Sequence, residues 1–223
     1  MKFVGRYVQA RKCLDYSYHK LYSSERQLFQ DTIIASTLEK AQTCESLEQK
    51  KKLFLTAGAM GSGKTHCIKR YLGNDYDRYV IADIDKIKLC LPERQKLLQS
   101  DPDNVGKLLH PEASTIHELI YRTAVKQGKN VIIDTSLRNG EFFKDLYLNN
   151  KDVLDSRYEI TIVHVTASFE TCMRRAEYRA KVTGRRVPRE SIQTSLRECP
   201  KSIELLRPFV NQIVVIDNDK DDV

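Results

Sequence analysis

No two of the six cysteines, at 13, 44, 67, 90, 172 and 199, stand in C-x-x-C spacing. Their scatter argues against a zinc site and against a disulfide framework, so reduced thiols in a cytosolic-type, cytoplasmic compartment are expected. No apolar run approaches the roughly 18–20 residues needed to cross a bilayer, which excludes a membrane span. The N-terminus has no h-region, being broken by Arg6 and Arg11, so secretion is not expected. It also has no acid before Asp15, the one feature in keeping with an organelle-targeting segment. Internal repeats and low-complexity stretches are missing as well.

What is present is an ordinary soluble composition, 41% hydrophobic and 30% charged over 223 residues. That length suits one compact α/β domain over 1–223, with a helical lead-in (1–52), a core (53–216) and an acidic, frayed tail (217–223). The net charge of +7 is unevenly placed. Between Cys172 and Glu190, Arg174, Arg175, Arg179, Lys181, Arg185, Arg186 and Arg189 meet only two acids, Glu177 and Glu190. So local a basic patch points to phosphates, of a small ligand or of a nucleic acid. Tyr178 is its single aromatic residue, which leaves poor base-stacking platforms there.

Along the chain, Leu28, Phe29, Ile33, Ile34, Leu38 and Leu47 recur at roughly helical spacing, predicting amphipathic helices packed against the main body. Short apolar runs predict strands at 53–57, 79–82, 130–134, 158–165 and 212–216. Helices are expected from Lys64, over 112–127, from Ser168 to near Gly184, over 189–198 and over 200–206, with a loop over 100–111. Strands alternating with helices mean a mostly parallel five-stranded sheet covered on both faces, a three-layer α/β/α fold. Ligands of such sheets sit beyond the carboxyl ends of the strands. Three segments bearing glycines or acids fall there: Gly58–Thr65, Asp83–Asp85 and Asp134–Arg138.

The first of these, Gly58-Ala59-Met60-Gly61-Ser62-Gly63-Lys64-Thr65 and then His66, matches G-x-x-x-x-G-K-[ST]. Glycines let the backbone curl so that several N–H groups face phosphate oxygens, and the helix N-terminus adds its dipole. In this pattern Lys64 reaches the β- and γ-phosphates of ATP or GTP and the Thr65 hydroxyl ligates Mg²⁺. At the second segment, Asp85 is the candidate base for an acceptor hydroxyl, with Asp83 holding the Mg²⁺ shell or orienting neighbours. Asp134 closes the third strand, where an acid commonly lies near Mg²⁺, and Ser136 and Arg138 follow it in the same turn. Arg175 and Arg179 share a helix face, and with Arg185 they form an arginine-bearing lid around 172–190 that would neutralise charge on a transferring phosphoryl group. His110 and Glu112 open the helix that would wall the acceptor pocket.

This ordered set resembles the zeta toxin family: the P-loop, Asp83-Ile-Asp85-Lys-Ile-Lys88, the acid-T-S/T-x-R turn at 134–138 and an arginine lid ending in R-x-V-P. Glu25 to Ile34 is similar to the lead-in helix of eukaryotic relatives, and the resemblance spans about 22–209. It implies a P-loop kinase fold and ATP- or GTP-dependent phosphorylation. In bacterial members the acceptor is UDP-N-acetylglucosamine, so a sugar nucleotide is the acceptor the family implies here. The resemblance gives Lys64 and Thr65 to nucleotide and Mg²⁺, Asp85 to the base, and Arg175 or Arg179 with Arg185 to the phosphates. Asp134, Ser136 and Arg138 would line the acceptor pocket. Bacterial members carry Glu-Gly-Thr where this chain has Asp134-Thr135-Ser136, which retracts the carboxylate by roughly 1 Å. Two other classes stay open: a polynucleotide or RNA 5′-hydroxyl kinase, and a nucleotide-binding regulatory module. The sequence identifies no inhibitory protein partner.

Overall fold

The computed structural model describes residues 2–41, 50–148, 158–184 and 186–220. Five strands, β1 (Lys51–Ala57), β2 (Val80–Asp83), β3 (Val131–Asp134), β4 (Tyr158–Thr166) and β5 (Gln212–Asp217), lie in one sheet in the order β2-β3-β1-β4-β5. The chain divides into two compact units, Met1–Cys44 with Asp77–Val131, and Glu45–Tyr76 with Ile132–Val223. Among the described residues no helix is long and apolar enough to cross a membrane.

The first unit contains α1 (Val8–Lys12), α2 (Ser24–Glu39), β2 (Val80–Asp83) and α4 (Ile84–Cys90). It continues with α5 (Glu93–Ser100), α6 (Val105–Leu108) and α7 (His110–Lys126). Ser23 starts α2 by accepting a hydrogen bond from the Arg26 amide, one of the otherwise orphaned first-turn donors. The apolar stripe expected on α2 is only half right. Ile33, Ile34 and Leu38 are buried, but Leu28 is exposed and Gln27, Gln30 and Asp31 are buried instead. The reason is Arg11, itself buried, which pairs with Asp31 at 2.6 Å and donates to the Gln27 carbonyl at 2.8 Å. A buried guanidinium must be met by acceptors, and α2 supplies them. Leu47 lies outside the described residues. Further along, the segment expected as loop over 100–111 contains α6, and α7 already begins at His110 because Pro111 is tolerated in a first helical turn.

The second unit is built on β1 (Lys51–Ala57), β4 (Tyr158–Thr166) and β5 (Gln212–Asp217), with β3 (Val131–Asp134) falling at its boundary. Strand β1 runs parallel to β4 from Lys51–Tyr158 to Ala57–His164, and β4 parallel to β5 from Thr161–Gln212 to Thr166–Asp217. Leu53 to Ala57 are all buried, the near-continuous apolar pattern of a strand covered on both faces. Among its described residues, this unit contains the helices α3 (Lys64–Leu72), α8 (Gly140–Phe143), α9 (Phe169–Thr183) and α10 (Arg189–Leu206). Two helices expected at 189–206 are one, running through Pro200. Burial of Ile192, Ser195 and Cys199 before the proline and of Ile203 and Leu206 after it holds both halves on the same core.

The tail expected to fray from 217 does not do so at once. Asp217 closes β5, the Asn218 amide donates to the Thr166 carbonyl at 2.9 Å, and Asp219 Oδ1 accepts from the Ser168 amide at 2.8 Å. Residues 221–223 lie outside the described set.

Candidate active site

In the second unit the chain leaves the carboxyl end of β1, the central strand at which the connections diverge to either side of the sheet. Such a switch point opens a crevice beyond the strand ends. The loop that fills it is Gly58–Gly63, and α3 starts directly after it. Gly63 takes the N-cap position in a left-handed conformation (φ 88°) with no side chain capping the helix. The first-turn amides of α3 are thereby left to whatever occupies the loop, which is the physical basis of anion capture at a helix N-terminus. The Lys64 ammonium turns back over the loop, donating to the carbonyls of Gly58 at 3.0 Å and Ala59 at 2.9 Å. It therefore already stands where a triphosphate tail would lie.

Thr65 and Asp134 meet across this crevice. The Thr65 hydroxyl donates to Asp134 Oδ2 at 2.9 Å, while Thr56 Oγ1 lies 3.1 Å from Asp134 Oδ1. Thr56 also accepts from the Thr135 amide at 2.9 Å, so β1 fixes the turn that carries the acid. The loop following β3 is tied to the P-loop by the Gly58 amide donating to the Ser136 carbonyl at 3.4 Å. Buried Leu137 holds a positive φ of 53° in that loop, and Arg138 beyond it is exposed. Among the described residues no group of three or more His, Cys, Asp or Glu converges. The Thr65 hydroxyl and the Asp134 carboxylate, with the phosphates of a bound nucleotide, could hold a magnesium ion, a common arrangement for this hard, reluctantly dehydrated cation.

Helix α9 brings Arg175 to the loop. Ser168 caps it by accepting from the Thr171 amide, and Gly184 ends it in the left-handed conformation. Its second turn packs so closely that a Cβ on Gly61 (φ 89°) would collide with the Cys172 carbonyl. Ala59 shares a buried cluster with Ala167, Cys172, Ala176 and Ile192, against which Met60, Met173 and Val187 also pack. The phosphate loop and the lid-bearing helix are thus one packed body. Arg175 Nη1 donates to the Asn218 carbonyl at 2.9 Å and lies 3.8 Å from where a Gly63 Cβ would be. Arg179, one turn on, is half-buried, Arg189 covers the Phe169 ring at 4.7 Å, and Arg185 lies outside the described residues. His66 is exposed on α3. Burial pushes the Cys199 thiol up to about 11, against the opposing influence of Lys64 and the Gly58 amide, so this buried cysteine stays protonated and is no nucleophile.

The other candidate residues belong to the first unit. Asp83 ends β2, and its Oδ1 caps α4, accepting from the amides of Asp85 at 2.8 Å and Lys86 at 3.1 Å. Asp85 is in the first turn of α4, half-buried, with Lys88 Nζ 3.9 Å from its carboxylate. His110 is exposed at the start of α7. Glu112 gives both carboxylate oxygens to Arg26, at 2.6 and 2.7 Å, and one also to Gln30 at 2.9 Å.

Sequence reasoning passed over Asn218, Asp219, Thr56 and Cys172. For Asn218 and Asp219 the signal was there, since the rule that ligands gather beyond carboxyl ends of parallel strands applies to β5 as well. Asn218 Nδ2 donates to the Ser62 carbonyl at 2.8 Å, inside the P-loop itself.

A family model described as Zeta toxin matches residues 34–223. A chain from the PezAT chromosomal toxin–antitoxin system of Streptococcus pneumoniae is similar in fold, with a TM-score of 0.69 at 17% identity over 90% of this chain and 80% of that one. A chain of the AvrRxo1-ORF1:-ORF2 complex with ATP gives a TM-score of 0.63 at 14% identity, covering 88% of this chain and 64% of that one. One from the Pnkp1/Rnl/Hen1 RNA repair complex gives 0.51 at 19% identity, over 74% of this chain and only 49% of that one. No curated protein matches. Family and fold together support a nucleotide-dependent phosphotransferase of the P-loop kinase kind. The chain belongs to the zeta toxin family.

Proposed function

We propose that this protein transfers the γ-phosphate of ATP or GTP to a hydroxyl group of a small-molecule acceptor, a sugar nucleotide of the UDP-N-acetylglucosamine type. The observation that carries the reading is the uncapped start of α3 beneath a loop whose lysine folds back over the loop carbonyls and whose threonine is hydrogen-bonded to the facing acid. In that reading the loop amides and Lys64 bind the phosphate tail, and Thr65 with Asp134 hold Mg²⁺. The ion supplies positive charge against the phosphate oxygens. Arg175 and Arg179, with Arg185, meet the charge that spreads over the equatorial oxygens during transfer. Asp85 accepts the acceptor's proton, with Asp83 fixing the turn that presents it. Ser136, Arg138, His110 and Glu112 contribute to the acceptor side. The resemblance to the zeta toxin family supports the sugar nucleotide, and in this reading the protein acts in the cytoplasm.

The basic face of α9 supports a second acceptor class, 5′-hydroxyl nucleic acid. Incubation with γ-labelled ATP, Mg²⁺ and either UDP-sugars or 5′-hydroxyl oligonucleotides separates the two. Label on the sugar nucleotide is the expected result. Label on the oligonucleotide alone would replace this acceptor with the second class.

A further inference from the structure

Asn218 sits just past the end of β5, outside every motif that defines the phosphate loop, yet its amide, its carbonyl and its side-chain NH₂ are all engaged. Its amide continues the β4–β5 ladder by donating to the Thr166 carbonyl at 2.9 Å. Its own carbonyl accepts from Arg175 Nη1 at 2.9 Å. Its side-chain Nδ2 donates to the Ser62 carbonyl at 2.8 Å. The next residue, Asp219, accepts from the Ser168 amide, and hydrogen bonding to the Ser168 hydroxyl, with that amide second, holds its carboxyl below the usual aspartate range. One short turn therefore touches the phosphate loop, the cap of the lid helix and a lid arginine.

From this geometry we infer that Asn218 is a positioning residue for the nucleotide phosphates, acting through the Ser62–Gly63 peptide; the inference rests on the nucleotide-binding reading above. A trans peptide is planar, and its carbonyl and the following N–H point in opposite directions. Holding the Ser62 carbonyl toward Asn218 turns the Gly63 amide to the opposite side, and a planar unit gripped at one end cannot flip. A flexible glycine on one side of that peptide would otherwise let it rotate at little cost. The same contact explains why residue 63 must be glycine beyond its left-handed φ: a Cβ there would collide with Asn218 Nδ2. Because the Asn218 carbonyl is also bound by Arg175, the loop peptide and the lid arginine share one anchor.

The test uses the full chain with Asn218→Ala and Asn218→Asp, titrated by calorimetry with Mg·ATP and with inorganic tripolyphosphate. Asn218→Asp keeps the size of the side chain but sets an oxygen against the Ser62 carbonyl, so it decides the matter should Asn218→Ala fail to fold. Both variants are expected to weaken both ligands by about tenfold or more, since an ordered donor is lost from the loop. A role confined to stability would lower the melting temperature of the ligand-free protein and leave the affinity of the folded fraction unchanged. Affinities within twofold of the native chain in a folded variant would overturn the inference alone. Absence of binding in the native chain would instead remove the nucleotide reading on which it stands.

Discussion

The Thr65 hydroxyl donates to Asp134 Oδ2 at 2.9 Å, joining the first turn of α3 to the carboxyl end of β3. One is the last residue of the P-loop motif, and the other lies 69 positions away in the chain. In the proposed reading, their meeting gives the phosphate cradle a place for a cation.

If these two side chains hold Mg²⁺, Thr65→Val and Asp134→Asn should each lower phosphoryl transfer by on the order of 10²-fold, as for the loss of one charge-stabilising group. Binding of nucleotide in the absence of magnesium should change little. The check is transfer rate against magnesium concentration, where the midpoint should move to higher metal. An unchanged midpoint in both variants would take the pair out of the metal site.

Gly61 tests the packing of loop on lid helix. With φ at 89° and the Cys172 carbonyl in the path of any Cβ, Gly61→Ala should destabilise the protein by about 1–3 kcal/mol and deform the loop. Nucleotide affinity should fall with it. Urea unfolding paired with a nucleotide titration reads both effects, and a variant indistinguishable from the native protein in each would mean that α9 does not constrain the loop.

The lead-in makes a stability prediction of its own. Arg11 is buried and paired with Asp31 at 2.6 Å, so Arg11→Met should cost about 3–5 kcal/mol by leaving the carboxylate without its cation. The double change Arg11→Met with Asp31→Leu should recover much of that loss, because neither charge then remains. A double variant as unstable as the single one would contradict the assignment, with chemical denaturation as the measurement.

His117 on α7 makes stability depend on pH. Burial pushes its imidazole down to about 4, with the Ala82 backbone and Glu118 opposing and His110 reinforcing the shift. The unfolded chain takes up the proton near 6.5, the folded chain only near 4, so between those values the unfolded state binds more protons. Stability contributed by the neutral ring is present above about 6.5 and is lost as pH falls toward 4, by on the order of 3 kcal/mol in total. Denaturation midpoints at pH 7, 5.5 and 4.5 should fall more steeply for the native protein than for His117→Asn, and parallel curves would contradict it.

Much of this architecture was legible because its signals are local. Buried strands read as short apolar runs, and the P-loop is contiguous, so Leu53–Ala57 followed by Gly58–Thr65 announced both an element and its chemistry. Ser168 and Gly184 bracket α9 as a cap and a left-handed stop should. The failures share a cause, namely partners distant in sequence. Nothing near Gln27, Gln30 and Asp31 says that Arg11 will fold over them, so polar residues at core positions of α2 could not be foreseen. Proline at 200 is a breaker by local rules, and only packing on both sides carries α10 through it. Asn218 looked like part of a frayed acidic tail because its importance lies in one hydrogen bond to a residue 156 positions earlier.

In the proposed reading the loop at 58–65 binds a nucleoside triphosphate with magnesium. Calorimetric titration of the folded protein with Mg·ATP and Mg·GTP tests it most directly, with Lys64→Ala alongside. Saturable one-to-one heat with at least one of the two, weakened by about tenfold or more in the variant, is the predicted result. A native protein that gives no heat with either, or a Lys64→Ala variant that binds as tightly, would show that this loop does not hold the triphosphate.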